Sequence, residues 1–332
     1  MAYSSTSAFA HTTGKCGPEL DRRCTWLWQL KGQTWSEFGL PDGFGAAAVT
    51  GTGADDSWFL GGRQNNADLV YHWDGRNWAD RSPGVKGYYV QAAAAVSPTS
   101  AWSAGVYNPA YDTRNDQAAA GHWDGTKWTV TKMPMVDGKT ASLTAVHASS
   151  ADDAWAAGSQ CKAFEAGNDR CQPYAVHWDG KQWSQVDVPE FAPRSALPTA
   201  VISRGSEVWI GGRETDLNAG GKPDRIFVLH YDGRNWTKEY LPVDVSADGF
   251  YSNVTGFTFH GTDLLAGVSH TRNEGVVRWN GQTWERYPGP LTTTSTVSTL
   301  VGAADGEVLA AGDGTDAQGA HDFLAHLPAP AK

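Results

Sequence analysis

The chain of 332 residues is 40% hydrophobic and 11% aromatic, enough to bury a large core, and its length alone would suggest about two domains. A formal net charge of -10 and a pI near 5.4 leave no basic footprint for phosphate backbones, which argues against nucleic acid as a partner. No run of 18 apolar residues occurs, so no membrane span is expected, and "MAYSSTSAFAHTTGK" lacks a charged-then-apolar segment, so any signal is read as already removed.

The first unit in chain order is "SSTSAFAHTTGKCGPELDRRCTWLWQLKGQTW" (4–35), which reads as a repeat lacking most of its first strand. Its ending returns as "YHWDGRNW" (71–78), "GHWDGTKW" (121–128), "YAVHWDGKQW" (174–183), "LHYDGRNW" (229–236) and "VRWNGQTW" (277–284). The closing tryptophans Trp35, Trp78, Trp128, Trp183, Trp236 and Trp284 recur at intervals of about 50 residues. Inner strands are expected to begin near Ala46, Ala92, Leu143, Thr199, Val254 and Val297.

Residues 142–188 show every part of the unit. "SLTAVHA" is a strand of small residues, "SSADD" a turn, "AWAAG" a second strand and "SQCKAFEAGNDRCQ" a long loop; "PYAVHW" and "QWSQVDV" then flank a tight Asp-Gly turn. The last unit, "VLAAGDGTDAQGAHDFLAHLPAPAK", stops after a third strand, with His326 at the repeat's histidine position. Four strands per period predict an all-β fold, a single β-propeller over residues 1–332 with about seven four-stranded blades. Six blades with an N-terminal extension is the alternative.

Repetition decides how tempting residues are read. His72, His122, His177, His230 and His326 share one repeat position and are expected to be structural, packed between blades. Asp74, Asp124, Asp179 and Asp232 are expected to form turns. Of 16 tryptophans, 14 fall on three repeat positions, so no free aromatic platform is left for a lectin. Two local disulfides, Cys16–Cys24 and Cys161–Cys171, are the economical reading of four cysteines in two close pairs without zinc-like spacing. They imply an oxidising, extracytoplasmic compartment.

"WFLGG…YHWDGRNW" and "WIGGRETD…LHYDGRNW" resemble kelch repeats, in which an apolar run ends in a double glycine, here Gly61-Gly62 and Gly211-Gly212. The Asp-Gly corner is also similar to the Asp-box hairpin of sialidase-like propellers, and the whole "WDGxxW" pattern to repeat proteins secreted by actinobacteria. These resemblances imply a propeller fold more firmly than an activity.

The inner strands offer Ala, Ser, Thr, Gly and Val, with His147 and His260 near their ends, so no cofactor is expected and function is assigned to loops. The loops from second to third strand and from fourth to the next first strand are long and differ in every unit, whereas the opposite turns are short and alike. Candidate ligand-binding residues are Arg63, Tyr107, Gln160, Arg213, Glu214, His270 and Asp313 after the second strands. Beside them come Tyr88, Tyr89, Phe250, Tyr251 and Arg194, with Phe44 and Phe191 in equivalent loops. The leading expectation is a secreted, monomeric, non-catalytic module binding a glycan or an extracellular protein. Two enzymes remain open: a sialidase-like hydrolase using Arg63, Arg194, Arg213 and Arg272 with paired carboxylates, although no "FRIP"-like segment appears, and a copper oxidase of the galactose oxidase type.

Overall fold

The computed structural model describes residues 2–4, 7–15, 23–41, 44–64, 67–110, 115–135, 138–162, 170–215, 225–245, 252–269, 275–287, 294–303, 306–316 and 319–327. They form seven antiparallel sheets, each built from consecutive strands that we label a to d from the axis outward. Successive a strands touch one another, which sets them round a common axis with the sheets radiating as propeller blades. Blade 1 starts with the short strand Ala2–Ser4, and blade 7 has three strands among the described residues, Thr294–Gly302, Val308–Asp316 and Gly319–Leu327. The seven-blade reading holds, and the first unit is a blade, not an extension. Among the described residues no helix is long and apolar enough to cross a membrane.

Three inner strands start four residues earlier than the repeat suggested, at Tyr88, Lys139 and Ser195. The residues entering from the d-to-a loops already pair with strand b, as in Tyr88 with Tyr107, Lys139 with Lys162 and Ser195 with Thr215. Strand a then bulges toward strand b, and the glycine three residues after each strand-b tryptophan accommodates the bulge. A Cβ at Gly158 would lie 2.0 Å from the Ser142 carbonyl oxygen, and one at Gly212 would lie 2.3 Å from that of Leu197. Close backbone approach is therefore the reason for the second glycine of Gly211-Gly212.

Each repeat histidine has a partner that sequence reading missed. Two residues before the strand-b tryptophan stands an acid or a serine, and it faces the histidine across the b–c ladder. His72 Nε2 donates to Asp56 at 2.7 Å, His177 Nε2 to Asp153 at 2.7 Å and His230 Nε2 to Glu207 at 3.2 Å. In blade 3 Ser100 takes this place, 3.4 Å from His122, and in blade 6 Arg278 replaces the histidine and pairs with Asp263 and Glu285. The imidazoles of His72, His122, His177 and His230 also pack on their own blades' tryptophans, with centroids 4.4 Å apart for Trp155–His177 and 4.7 Å for Trp209–His230. His122 and His230 further touch Trp178 and Trp279 of the following blade. Burial tends to raise the Asp56 carboxyl, and hydrogen bonds from His72 and Thr52 outweigh it and hold it below its usual value.

The c-to-d corners are uniform for a local reason. Oδ1 of Asp74 accepts the backbone N–H of Arg76 and Asn77, and Asp124, Asp179, Asp232 and Asn280 accept the same pair in their blades. The next glycine sits at φ of 87 to 95° in all five, a region other residues enter only with strain. These hydrogen bonds lower the four carboxyls, Asp124 to about 2 with the Thr126 hydroxyl contributing most.

Candidate functional site

The described ends of strands b and starts of strands c lie at the other end of the blades from the Asp-Gly corners. Of the expected residues there, Phe250, Tyr251 and His270 lie outside the described residues, as does Cys16. Arg63, Asp313 and Cys24 lie in described strands, Asp56–Gln64, Val308–Asp316 and Arg23–Lys31, with side chains outside the description. The expected Cys16–Cys24 bond is thus outside the description, whereas Cys161 and Cys171 are joined by a disulfide.

Three of the aromatics expected on this face belong to the core instead. Phe44, Tyr88 and Phe191 are buried. Tyr88 packs with Trp58 and Val90, its hydroxyl lies 2.8 Å from Ser103 Oγ, and burial above all holds that hydroxyl protonated well above its usual range. The cause is the path of the chain, because a d-to-a loop must return from rim to axis and its aromatic plugs the gap between blades. Tyr88 therefore offers no surface to a ligand. Tyr89 and Tyr107 remain half-buried, and the Lys132 ammonium stands 3.5 Å from the centre of the Tyr107 ring. Gln160 accepts from Lys139 at 3.1 Å.

The expected residues that the fold does bring together are Arg194 and Glu214, at the mouth between blades 4 and 5. Glu214 is 3% exposed, and its Oε1 lies 2.6 Å from Arg194 Nε. Arg225, half-exposed, approaches the other carboxylate oxygen at 3.9 Å and lays its guanidinium 3.3 Å over the ring of Tyr240. Burial first, then the hydrogen bond and charge of Glu214, push the Tyr240 hydroxyl up to about 12. Arg213, the neighbour of Glu214 on the same strand, alternates to the other face of the sheet.

The disulfide strand holds this cluster in place. Cys171 N donates to Ser195 Oγ at 3.1 Å, Gln172 Nε2 donates to the Arg194 carbonyl at 2.8 Å, and Phe191 N donates to Gln172 Oε1 at 2.6 Å. The loop carrying Arg194 is thereby sewn to the stapled hairpin of blade 4. With Arg194 and Arg225 at the Glu214 carboxylate and the Lys238 ammonium over the Phe191 ring, the mouth presents guanidinium and phenol planes. Such a surface suits carboxylate-bearing or hydroxyl-rich ligands.

A second concavity, a cleft of about 570 Å³, opens on the side wall between the same blades. His177, Asp153, Trp155, Ser206, Tyr231 and Trp236 line it, all at positions that the other blades repeat. It leaves the His177–Asp153 pair about 30% exposed, where His72–Asp56 is nearly buried.

No protein-family model matches the sequence, and no curated protein does. Solved structures match over nearly the whole chain. Ycf48 bound to a D1 peptide superposes with a TM-score of 0.54 at 14% identity, covering 98% of this chain and 93% of that one. The β-propeller domain of the Trilobed protease from Pyrococcus furiosus, with its open velcro topology, gives 0.58 at 8% identity over 98% and 95%. The acylaminoacyl peptidase of Pyrococcus horikoshii gives 0.57 at 10% identity over 97% of this chain and 50% of that one. At such identities the likeness is one of architecture, and this chain is a seven-bladed β-propeller.

Proposed function

We propose that the protein is an extracytoplasmic recognition module that binds a glycan or a protein partner on its long-loop face. The observation that carries this reading is the contrast between the two ends of the propeller. At the Asp-Gly end the polar groups recur from blade to blade and are consumed by the corners and the histidine pairs. At the other end the Arg194–Glu214–Arg225–Tyr240 cluster sits at one interblade mouth and follows no repeat. The Cys161–Cys171 disulfide favours an oxidising compartment. The Ycf48 structure with a bound peptide gives a protein of this fold in a recognition role.

Tyr240 weighs between binding and hydrolysis. A phenol paired with a carboxylate among arginines becomes a nucleophile when that carboxylate takes its proton, but Glu214 is already held by Arg194 at 2.6 Å and approached by Arg225 at 3.9 Å, and the Tyr240 hydroxyl is pushed up to about 12. The cluster is thus better suited to hold a ligand than to attack one.

The test is a glycan and peptide array probed with the intact protein, followed by Arg225→Ala and Tyr107→Ala on whatever binds. Each should weaken binding tenfold or more, roughly 1.4 kcal/mol, with melting temperature changed by a few degrees at most. Normal binding by both variants, together with loss on Asp124→Ala in a folded protein, would place the site at the wrong end.

A further inference from the structure

The seam between blades 4 and 5 departs from the repeat. Just before the Asp-Gly or Asn-Gly corner stand Trp73, Trp123, Trp178 and Trp279 in blades 2, 3, 4 and 6, but Tyr231 in blade 5. All four indoles meet a ring of the preceding blade. Trp73 lies 5.1 Å from Phe38, Trp123 5.5 Å from Trp58, Trp178 5.5 Å from His122 and Trp279 5.7 Å from His230, centroid to centroid. Tyr231 brings one ring where an indole has two, and it packs 5.1 Å from Trp236 of its own blade. The cleft of about 570 Å³ opens at this seam. Its effect shows on strand b: Trp155, which lines the cleft, is 9% exposed, whereas Trp58, Trp102 and Trp209 are 1% exposed or less.

The volume falls within the roughly 300–1,000 Å³ of small-molecule sites. Blade 4 contributes Trp155 and blade 5 contributes Tyr231 and Trp236, so aromatic rings stand on both sides. His177 and Asp153 are engaged with each other. Among the described residues nothing pairs with the Asp187 carboxylate or with the hydroxyls of Ser206 and Tyr231, which also line the cleft. No lysine or arginine lines it. An anion would meet the Asp187 charge without a counter-ion, and a wholly apolar ligand would leave three polar groups unpaired. A quaternary cation would use the carboxylate and the rings but neither hydroxyl. A neutral sugar ring satisfies all of them, because its C–H face packs on an aromatic ring while its hydroxyls both donate and accept.

We propose that this cleft is a binding site for a neutral hexopyranose, separate from the long-loop face and independent of what that face binds. Trp155, Tyr231 and Trp236 offer the stacking surfaces, Asp187 accepts sugar hydroxyls, and Ser206 and Tyr231 donate to sugar oxygens. Selectivity for the neutral class follows from the acid, since a sugar carrying its own carboxylate is repelled by Asp187. The sequence reading left no aromatic platform free because the tryptophans fall on repeat positions. One platform nevertheless forms, at the seam where the following blade brings a tyrosine instead of the indole that fills the others.

The probes are the methyl glycosides of glucose, galactose and mannose, each beside its uronide, titrated into the intact protein and followed by saturation-transfer NMR. At least one neutral glycoside should bind saturably in the millimolar range, and its uronide at least tenfold more weakly. Asp187→Ala should weaken the neutral sugar at least fivefold. Tyr231→Trp, which restores the residue of the other blades, should fill the cleft and abolish binding without lowering the melting temperature. Ser206→Arg, at an exposed position on the rim, blocks the same space if the tryptophan variant folds poorly. Arg225→Ala, on the long-loop face, should leave the sugar affinity unchanged. The proposal falls if no neutral glycoside binds at millimolar concentration, or if the uronide binds as tightly as its parent. It also falls if Asp187→Ala or the folded cleft-filling variant leaves the affinity unchanged, or if Arg225→Ala abolishes binding, since the sugar then sits on the long-loop face.

Discussion

His177 donates through Nε2 to Asp153 and stacks on Trp155, so its two sides are occupied by the fold itself. Replacing it by Ala should lower stability by roughly 1–2 kcal/mol, the scale of a partly exposed hydrogen bond with its packing, and leave ligand binding intact at low temperature. A double-mutant cycle with Asp153→Ala checks the pairing, and strict additivity would refute it. His147 is a different case, because it bridges two inner strands. The Ser203 backbone N–H donates to its Nδ1 at 3.2 Å, which requires that nitrogen to be unprotonated. Burial, opposed weakly by the charge of Asp153, lowers its pKa to about 4. The unfolded chain therefore binds this proton near pH 6.5 and the folded one only near 4. Stability is full above about pH 6.5 and should be lost as the pH falls from there toward 4, by on the order of 3 kcal/mol. Denaturation midpoints of His147→Asn should be flatter across that window; an unchanged slope would show that other groups, such as His122 with its lowered pKa, carry the effect.

At the level of elements, the corner and the staple make separate predictions. Gly281 has φ of 95° and open space where a Cβ would stand, so Gly281→Ala should cost only the backbone strain of about 1–2 kcal/mol. Gly180 has φ of 87°, and its Cβ would also lie 3.0–3.3 Å from the Asp152 side chain, so Gly180→Ala should cost more. Equal losses in urea titrations would mean that the neighbour yields freely. The Cys161–Cys171 bond closes a ten-residue separation and should contribute about 2–3 kcal/mol in the chain-entropy account. Its removal by Cys161→Ser with Cys171→Ser should also loosen Gln172, and with it the loop that carries Arg194. Faster amide exchange at 190–195 would report that coupling. The tryptophan, aspartate and glycine periodicity made these elements readable in advance, since each is decided by residues within one hairpin. The histidine partners were readable too, as "DSW", "SAW", "DAW" and "EVW", but their meaning depends on the b–c register, which places residues some 20 apart in the chain side by side.

Over the whole molecule, the ring must close between blades 7 and 1. Among the described residues the core there comprises Ala8, Leu30 and Leu309, with Trp35, Val301 and Ala303 packed on it, while the blade 5–6 interface is far larger. No described strand is exchanged between the first and last blades, and among the described residues they meet through this packing. Leu30→Ala should therefore open the ring locally, with faster exchange in blades 1 and 7 before any change in blades 4 and 5; a uniform rise across all blades would instead show that the ring melts as one unit.

Sequence by itself determined the propeller, its seven repeats and the corner chemistry, because each depends on spacing that a 50-residue period displays directly. The Glu214–Arg225 pairing was missed in the sequence; once the b–c register is known, counting five residues on from Trp209 and five back from His230 puts the two opposite each other. Only the tertiary structure decided which loop aromatics are exposed. Phe44, Tyr88 and Phe191 face inward and Tyr107 stays half-exposed because the packing of adjacent blades, not local pattern, sets the direction of a loop residue.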